Sequence, residues 1–240
     1  PNKGNDNVEA LPASVAELMD FSKVLGCPTD NGIEISLLSA KPAECLIEYG
    51  SVSGHYESKT ESIILAAGIP QTLHIGGLKA NTRYYYRTNV RGSDENEYLI
   101  GTEYSFHTQR ALGSTFTFEI QGDSHPERKR NHSKALYAQT LTAAAADKPD
   151  FYMTIGDDFS VDNLDVVTPN AVEAIYLNQR HFLGLVASDS PLFLVSGNHE
   201  QAAACNLDGT PDNVAVWAQT NRNCYFPQPA PDDFYSGDKE

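Results

Sequence analysis

No stretch of this sequence is apolar for long enough to cross a bilayer, which argues against a transmembrane helix. Basic residues are scarce. The 17 Lys and Arg stand against 32 Asp and Glu, a formal charge of -15. Such a surface repels nucleic acid and anionic membranes, so no nucleic-acid partner is expected. Cysteine is sparse as well: Cys27, Cys45, Cys205 and Cys224 form no Cys-x-x-Cys pair, which argues against a zinc ribbon or a thioredoxin-type site. Two readings of them stay open. Either Cys27–Cys45 and Cys205–Cys224 are local disulfides of an exported protein, each closing a loop of about twenty residues and contributing roughly 3 kcal/mol, or all four are buried thiols. A Gly-x-Ser-x-Gly elbow, a Walker loop and a dinucleotide fingerprint are all lacking, and Asp162 and Asp165 lack EF-hand spacing. No signal peptide is legible, and a start at Pro1-Asn2-Lys3 without Met reads as processed or trimmed. A secreted or periplasmic location is the expectation.

What is present suits a globular protein. With 40% apolar and 20% charged residues, 240 residues can fold as one large or two ordinary domains. Residues 1–26 read as an N-terminal arm, with a short helix over 12–20 capped by Ser14 and turning Val15, Leu18 and Met19 inward. Residues 27–110 read as a β-sandwich of immunoglobulin or fibronectin type III kind. Short strands are expected at 33–37, 45–49, 55–60, 62–66, 71–76, 82–91 and 99–107, with turn signals between them. Leu78-Lys79-Ala80-Asn81-Thr82-Arg83-Tyr84 resembles the tyrosine corner of fibronectin type III domains, with Ala-Asn where Pro-Gly is commoner. Tyr84, Tyr86, Thr88 and Val90 share one face, and the tyrosine run reads as core packing. His55, His74 and His107 have no ligand spacing and read as ordinary strand histidines.

After a linker at 109–114 the period changes, and residues 111–240 read as β-α-β-α-β. Strands are expected at 115–121, 151–155 and 191–196. Helices are expected over 131–147, with Leu136 and Ala143 inward, and from Thr168-Pro169 to about 187, with Thr as cap and Pro in the first turn. The apolar run Pro191-Leu192-Phe193-Leu194-Val195-Ser196 suits a parallel strand covered on both faces. Right-handed crossovers make the three strands parallel, so the polar clusters that end them emerge at one sheet edge. These clusters are Gly122-Asp123-Ser124-His125, Gly156-Asp157-Asp158 and Gly197-Asn198-His199-Glu200. Carboxylates gathered there would repel unless a cation sat between them, and mixed Asp, His and Asn donors suit Mn, Fe, Zn or Mg.

The three clusters resemble the first three motif blocks of the calcineurin-like metallophosphoesterases. The preceding sandwich is similar to the N-terminal domain of purple acid phosphatases and their bacterial relatives. The resemblance implies a β-sandwich followed by an incomplete α/β metallophosphoesterase core, with the C-terminal half absent. It implies phosphoester hydrolysis, with a phosphomonoester favoured, by a hydroxide bound to two divalent metal ions. Asp123 and His125 would hold the first ion, Asp157 would bridge both, Asn198 would bind the second, and His199 would orient the phosphate or assist the leaving group. Asp158 and Glu200 would stand behind the ligands or lie exposed.

Two departures stand out. Purple members carry a tyrosine three residues after the bridging aspartate, where this sequence has Ser160; that argues against an Fe(III)–tyrosinate centre. The family also completes its site with further histidines, and none follows His199 here. The expected partners are therefore a small phosphorylated substrate and a C-terminal remainder or companion chain. Arg128-Lys129-Arg130 reads as a solvated cluster at the helix entry. Diester or nucleotide hydrolysis on the same centre, and a binding protein with a residual metal site, are the competing readings.

Overall fold

A computed structural model describes residues 10–128, 132–202 and 207–237. The chain opens with α1 (Ala13–Asp20), which runs directly into β1 (Phe21–Gly26). Within the arm expected at 1–26, residues 13–26 form a helix and a strand. Pro12 rather than Ser14 precedes the helix; Val15 is buried, Met19 is exposed, and the side chain of Leu18 lies outside the described residues.

Strand β1 pairs antiparallel with β2 (Ile33–Ser39), which pairs with β6 (Gln71–Ile75). The facing sheet is built on β3 (Ala43–Gly50) and β7 (Arg83–Gly92). Strands β4 (Ser58–Lys59) and β5 (Ile63–Leu65) flank β3, and β8 (Leu99–Ile100) and β9 (Tyr104–His107) flank β7. Alternation drives this packing. Leu25, Ile33, Ile35 and Leu37 from one sheet meet Cys45, Ile47, Tyr84, Tyr86 and Phe106 from the other. The tyrosine run is core, as its spacing suggested, and the Lys79 amide donates to the Tyr84 hydroxyl at 3.0 Å to close the corner.

The cysteine pairing Cys27–Cys45 is not made. Cys27 sits at the end of β1 with φ 48°, Cys45 points into the core from the other sheet, and both are free thiols. Burial pushes each up to about 12. Cys224 is likewise free and exposed, while Cys205 lies outside the described residues.

The second half has the expected β-α-β-α-β order: β10 (Phe118–Gln121), α2 (Lys134–Asp147), β11 (Phe151–Thr154), α3 (Pro169–Ala187) and β12 (Leu192–Leu194). The three strands are parallel, in the order β10-β11-β12. Thr168 caps α3 by accepting from the Ala171 amide, with Pro169 in the first turn. Helix α2 is rotated from the face expected of it. Tyr137, Ala138, Leu141 and Ala144 face inward, whereas Leu136 is exposed. Two short elements follow the sheet, α4 (Asn198–Ala202) and α5 (Val214–Tyr225).

Among the described residues, the helices cover one face of this sheet. Tyr152, Leu192 and Leu194 join the helices in a shared core, but on the opposite face Ile120, Ile155 and Val195 are 54%, 54% and 45% exposed. The strand at 192–194 is therefore not covered on both sides. A continuous apolar run reads the same whether one face or two are buried.

Helix α3 also packs on the outer face of β1 and β2, so Val24 and Leu38 belong to the same core as Phe182 and Val186. At this junction Arg180 is wholly buried. It donates to Ser22 Oγ at 3.0 Å, Ser36 Oγ at 3.1 Å and the Ser36 carbonyl at 2.9 Å, and to the Tyr225 carbonyl. No helix among the described residues is long and apolar enough to cross a membrane.

Candidate metal centre

All three polar clusters leave the carboxyl ends of the parallel strands. The Asp123 amide donates to the Gly156 carbonyl at 3.0 Å, fastening the first cluster to the second. The His199 amide donates to Asp157 Oδ1 at 2.8 Å, fastening the third to the second. The glycines permit this proximity. A Cβ on Gly156 would lie 2.2 Å from the Gly197 nitrogen, and one on Gly197 would lie 2.3 Å from Asp157 Oδ1. Backbone strain is concentrated here as well. Asp123, His125 and Asp157 have φ of 55°, 40° and 58°, a region that non-glycine residues seldom adopt and that costs on the order of 1–3 kcal/mol each.

One potential donor atom from each of His125, Asp157 and His199 lies within 4.8 Å of the others. His125 is buried, and its Nδ1 lies 2.7 Å from Ser160 Oγ and 3.2 Å from Glu127 Oε1. A proton on Nδ1 directed at the carboxylate leaves Nε2 with a lone pair, 3.9 Å from Asp123 Oδ1. His199 is oriented in the same manner: Nδ1 lies 2.9 Å from Asp162 Oδ2, and Arg128 donates to Nε2 at 3.1 Å. The two imidazoles meet edge to face, with centroids 5.1 Å apart. Asp123 and Asn198 are exposed.

Of the residues singled out from sequence, His125, Asp157 and His199 thus come within 4.8 Å of one another, while Asp123 and Asn198 are exposed. Asp158 does not point there. It is buried, accepts from the Ser124 hydroxyl at 2.6 Å and from Gln121 at 3.4 Å, and desolvation pushes its carboxyl up to about 6 against those hydrogen bonds. Asp162, Glu127 and Ser160 were not recognised as partners of the imidazoles. Their spacing carries no motif, and the only hint was Ser160 standing where a tyrosine was expected. Lys129, Arg130 and Asn131 lie outside the described residues.

The donor set fits a borderline divalent ion. The His125 imidazole nitrogen and an Asp157 carboxylate oxygen, each side chain held by a hydrogen-bonding partner, are ligand types such ions take, while His199 stands beside them with its Nε2 accepting from Arg128.

No family model and no curated protein matches this chain. Among solved structures, it resembles one of PhoD with 16% identity and a TM-score of 0.48, over 81% of this chain and 40% of that one. The chain therefore spans two fifths of the length of that structure. The sensor domain of the anti-sigma factor RsgI4 from Pseudobacteroides cellulosolvens is 18% identical, with a TM-score of 0.30, over 38% of this chain and 94% of that one. A fibronectin type III domain of human collagen XX is 18% identical, with a TM-score of 0.28, over 36% and 86% respectively.

Proposed function

We propose that this chain carries the ligands of a metal-dependent phosphoester hydrolase, and that a phosphomonoester is its preferred substrate. The observation that carries the reading is the convergence of His125, Asp157 and His199 at the ends of three parallel strands. A bound divalent ion would supply Lewis acidity toward a phosphoryl oxygen and acidify a water. The chain's own residues divide the remaining work. His125 Nε2 and an Asp157 oxygen would hold the ion, and Asp123 and Asn198 would extend the donor set toward a second one. Asp162 keeps the proton of His199 on Nδ1, so that Nε2 faces the substrate side. Arg128, beside that nitrogen, is placed to meet an anionic phosphate in a protein whose net charge is otherwise -15.

In this reading the sandwich at 27–110 is an accessory unit, extended by β1 to residue 21. Residues 111–240 are part of a metallophosphoesterase core, and the remaining ligands lie on a C-terminal continuation or a companion chain. A diester or nucleotide substrate would use the same residues. The protein is expected to be secreted or periplasmic. The test is Mn2+ and Zn2+ binding together with hydrolysis of an aryl phosphate, for the wild type and Asp157→Asn. Stoichiometric metal and turnover, both lost in the variant, support the reading. Metal bound without hydrolysis would favour a binding role, and a protein that takes up no metal would refute it.

A further inference from the structure

We infer that Glu200 is a positioning residue that holds the Asp157 turn and the His199 turn in one geometry, and is not itself a metal ligand. The inference rests on the metal reading above and extends it to a residue which that reading leaves without a task. Its carboxylate is fully engaged. Oε2 accepts from the Asp157 amide at 2.8 Å and the Gly197 amide at 2.7 Å. Oε1 accepts from the Asp158 amide at 2.7 Å and the Phe159 amide at 2.8 Å. Four backbone N–H groups occupy the four lone-pair sites that a carboxylate offers, so none is left for an ion.

The bonds cross from one strand end to another. Three donors belong to the segment after β11 and one to the turn after β12, so a single side chain on α4 ties both. The turn it grips is the strained one: Gly156 and Asp157 are consecutive left-handed residues, with φ of 103° and 58°. Charge-assisted hydrogen bonds to three successive amides offset the conformational cost of that turn. Asp157 then has its amide held by Glu200 and its Oδ1 held by the His199 amide, which leaves Oδ2 without a bond from either. A glutamine cannot replace the glutamate here. Its NH2 would face two N–H donors, whichever way the amide is turned.

The experiment compares wild type, Glu200→Gln and a control, Glu173→Gln. Glu173 accepts the Tyr225 hydroxyl between α3 and α5, a fold contact apart from the site. Mn2+ affinity is measured by calorimetry, and amide exchange at Asp157, Asp158, Phe159 and Gly197 by NMR. Glu200→Gln should bind Mn2+ at least ten-fold more weakly and exchange those four amides at least ten-fold faster. Glu173→Gln should lose thermal stability with both readouts unchanged. Affinity within two-fold of wild type in a folded Glu200→Gln, or unchanged exchange, would overturn the inference. Should Glu200→Gln fail to fold, Glu200→Asp replaces it. That variant keeps both oxygens but is one methylene too short to span the turns, so the same ten-fold loss is expected, and wild-type affinity overturns it. If the wild type binds no Mn2+, the metal reading fails, and exchange alone decides the clamp: amides protected in the wild type and released in the variant support it, and amides unaffected by the substitution refute it.

Discussion

On the proposed metal reading, replacing Gly197 with alanine should disable metal binding without unfolding the protein. The added Cβ would lie 2.3 Å from Asp157 Oδ1 and 2.6 Å from the Asp157 nitrogen, whereas real Cβ contacts essentially never fall below 3.0 Å. Asp157 must therefore retreat by about 0.7 Å, several times the ~0.2 Å tolerance of metal–ligand distances. The nearby backbone nitrogen rules out relief by a simple side-chain rotation. Gly197 does not adopt a positive φ, so the substitution acts through contact alone. Overpacking of this kind costs about 1–3 kcal/mol, which for a chain of this size lowers Tm by roughly 2–12 °C. Displacing a ligand should cost more than the ~10–100-fold typical of a residue behind one, so Mn2+ affinity should fall by at least about 100-fold. Calorimetric titration and a thermal melt would measure both. Gly113→Ala, with φ 80° and open space around it, provides the control: some stability lost, affinity intact. A Gly197→Ala protein that binds Mn2+ like the wild type would refute the reasoning.

Other substitutions test the frame around the site. Arg180→Met should destabilise by about 2–6 kcal/mol in denaturant titration, because the buried Ser36 and Tyr225 carbonyls lose their donor at about 1–3 kcal/mol each; an equally stable variant would contradict this. Burial, reinforced by Arg180, lowers His181 to about 4 from an ordinary value near 6.5, so the folded state holds it neutral. Stability from this group is intact above pH 6.5 and is lost as pH falls toward 4. Between pH 7 and pH 5 the wild type should lose about 2 kcal/mol more than His181→Asn, and parallel pH profiles would exclude the effect. Among the three cysteines described, only Cys224 should react with an aromatic disulfide before denaturation, as peptide mapping would show; early labelling of Cys45 would place it outside the core.

The strand ends were legible because each joins a strand-like segment to glycine and polar donors, a pattern whose geometry follows from parallel topology. The conformations that bring those donors together were not. Nothing in Gly-Asp-Ser-His announces a left-handed Asp123 or His125, and nothing in Asn-His-Glu reveals that Glu200 turns back to four amides. β1 escaped notice because Phe-Ser-Lys-Val-Leu-Gly does not alternate, being buried on both sides, with Ser22 and Lys23 out of water as well. The face of α2 was misjudged because a run of alanines has no stripe to read. Cysteine spacing says how long a loop would be, not which sheet each thiol occupies. A buried arginine satisfied by serines and carbonyls leaves no pattern at all.

Arg180 also has a thermodynamic consequence. A guanidinium enclosed by groups from β1, β2 and the end of α5 makes the linker at 109–114 a border in sequence but not in cooperativity. Cutting there would bare Val24 and Leu38 on one piece and strand a cation on the other. Sandwich and α/β layers should accordingly melt as one calorimetric unit, and the sheet edge that carries His125, Asp157 and His199 inherits the rigidity of the β-sandwich beside it.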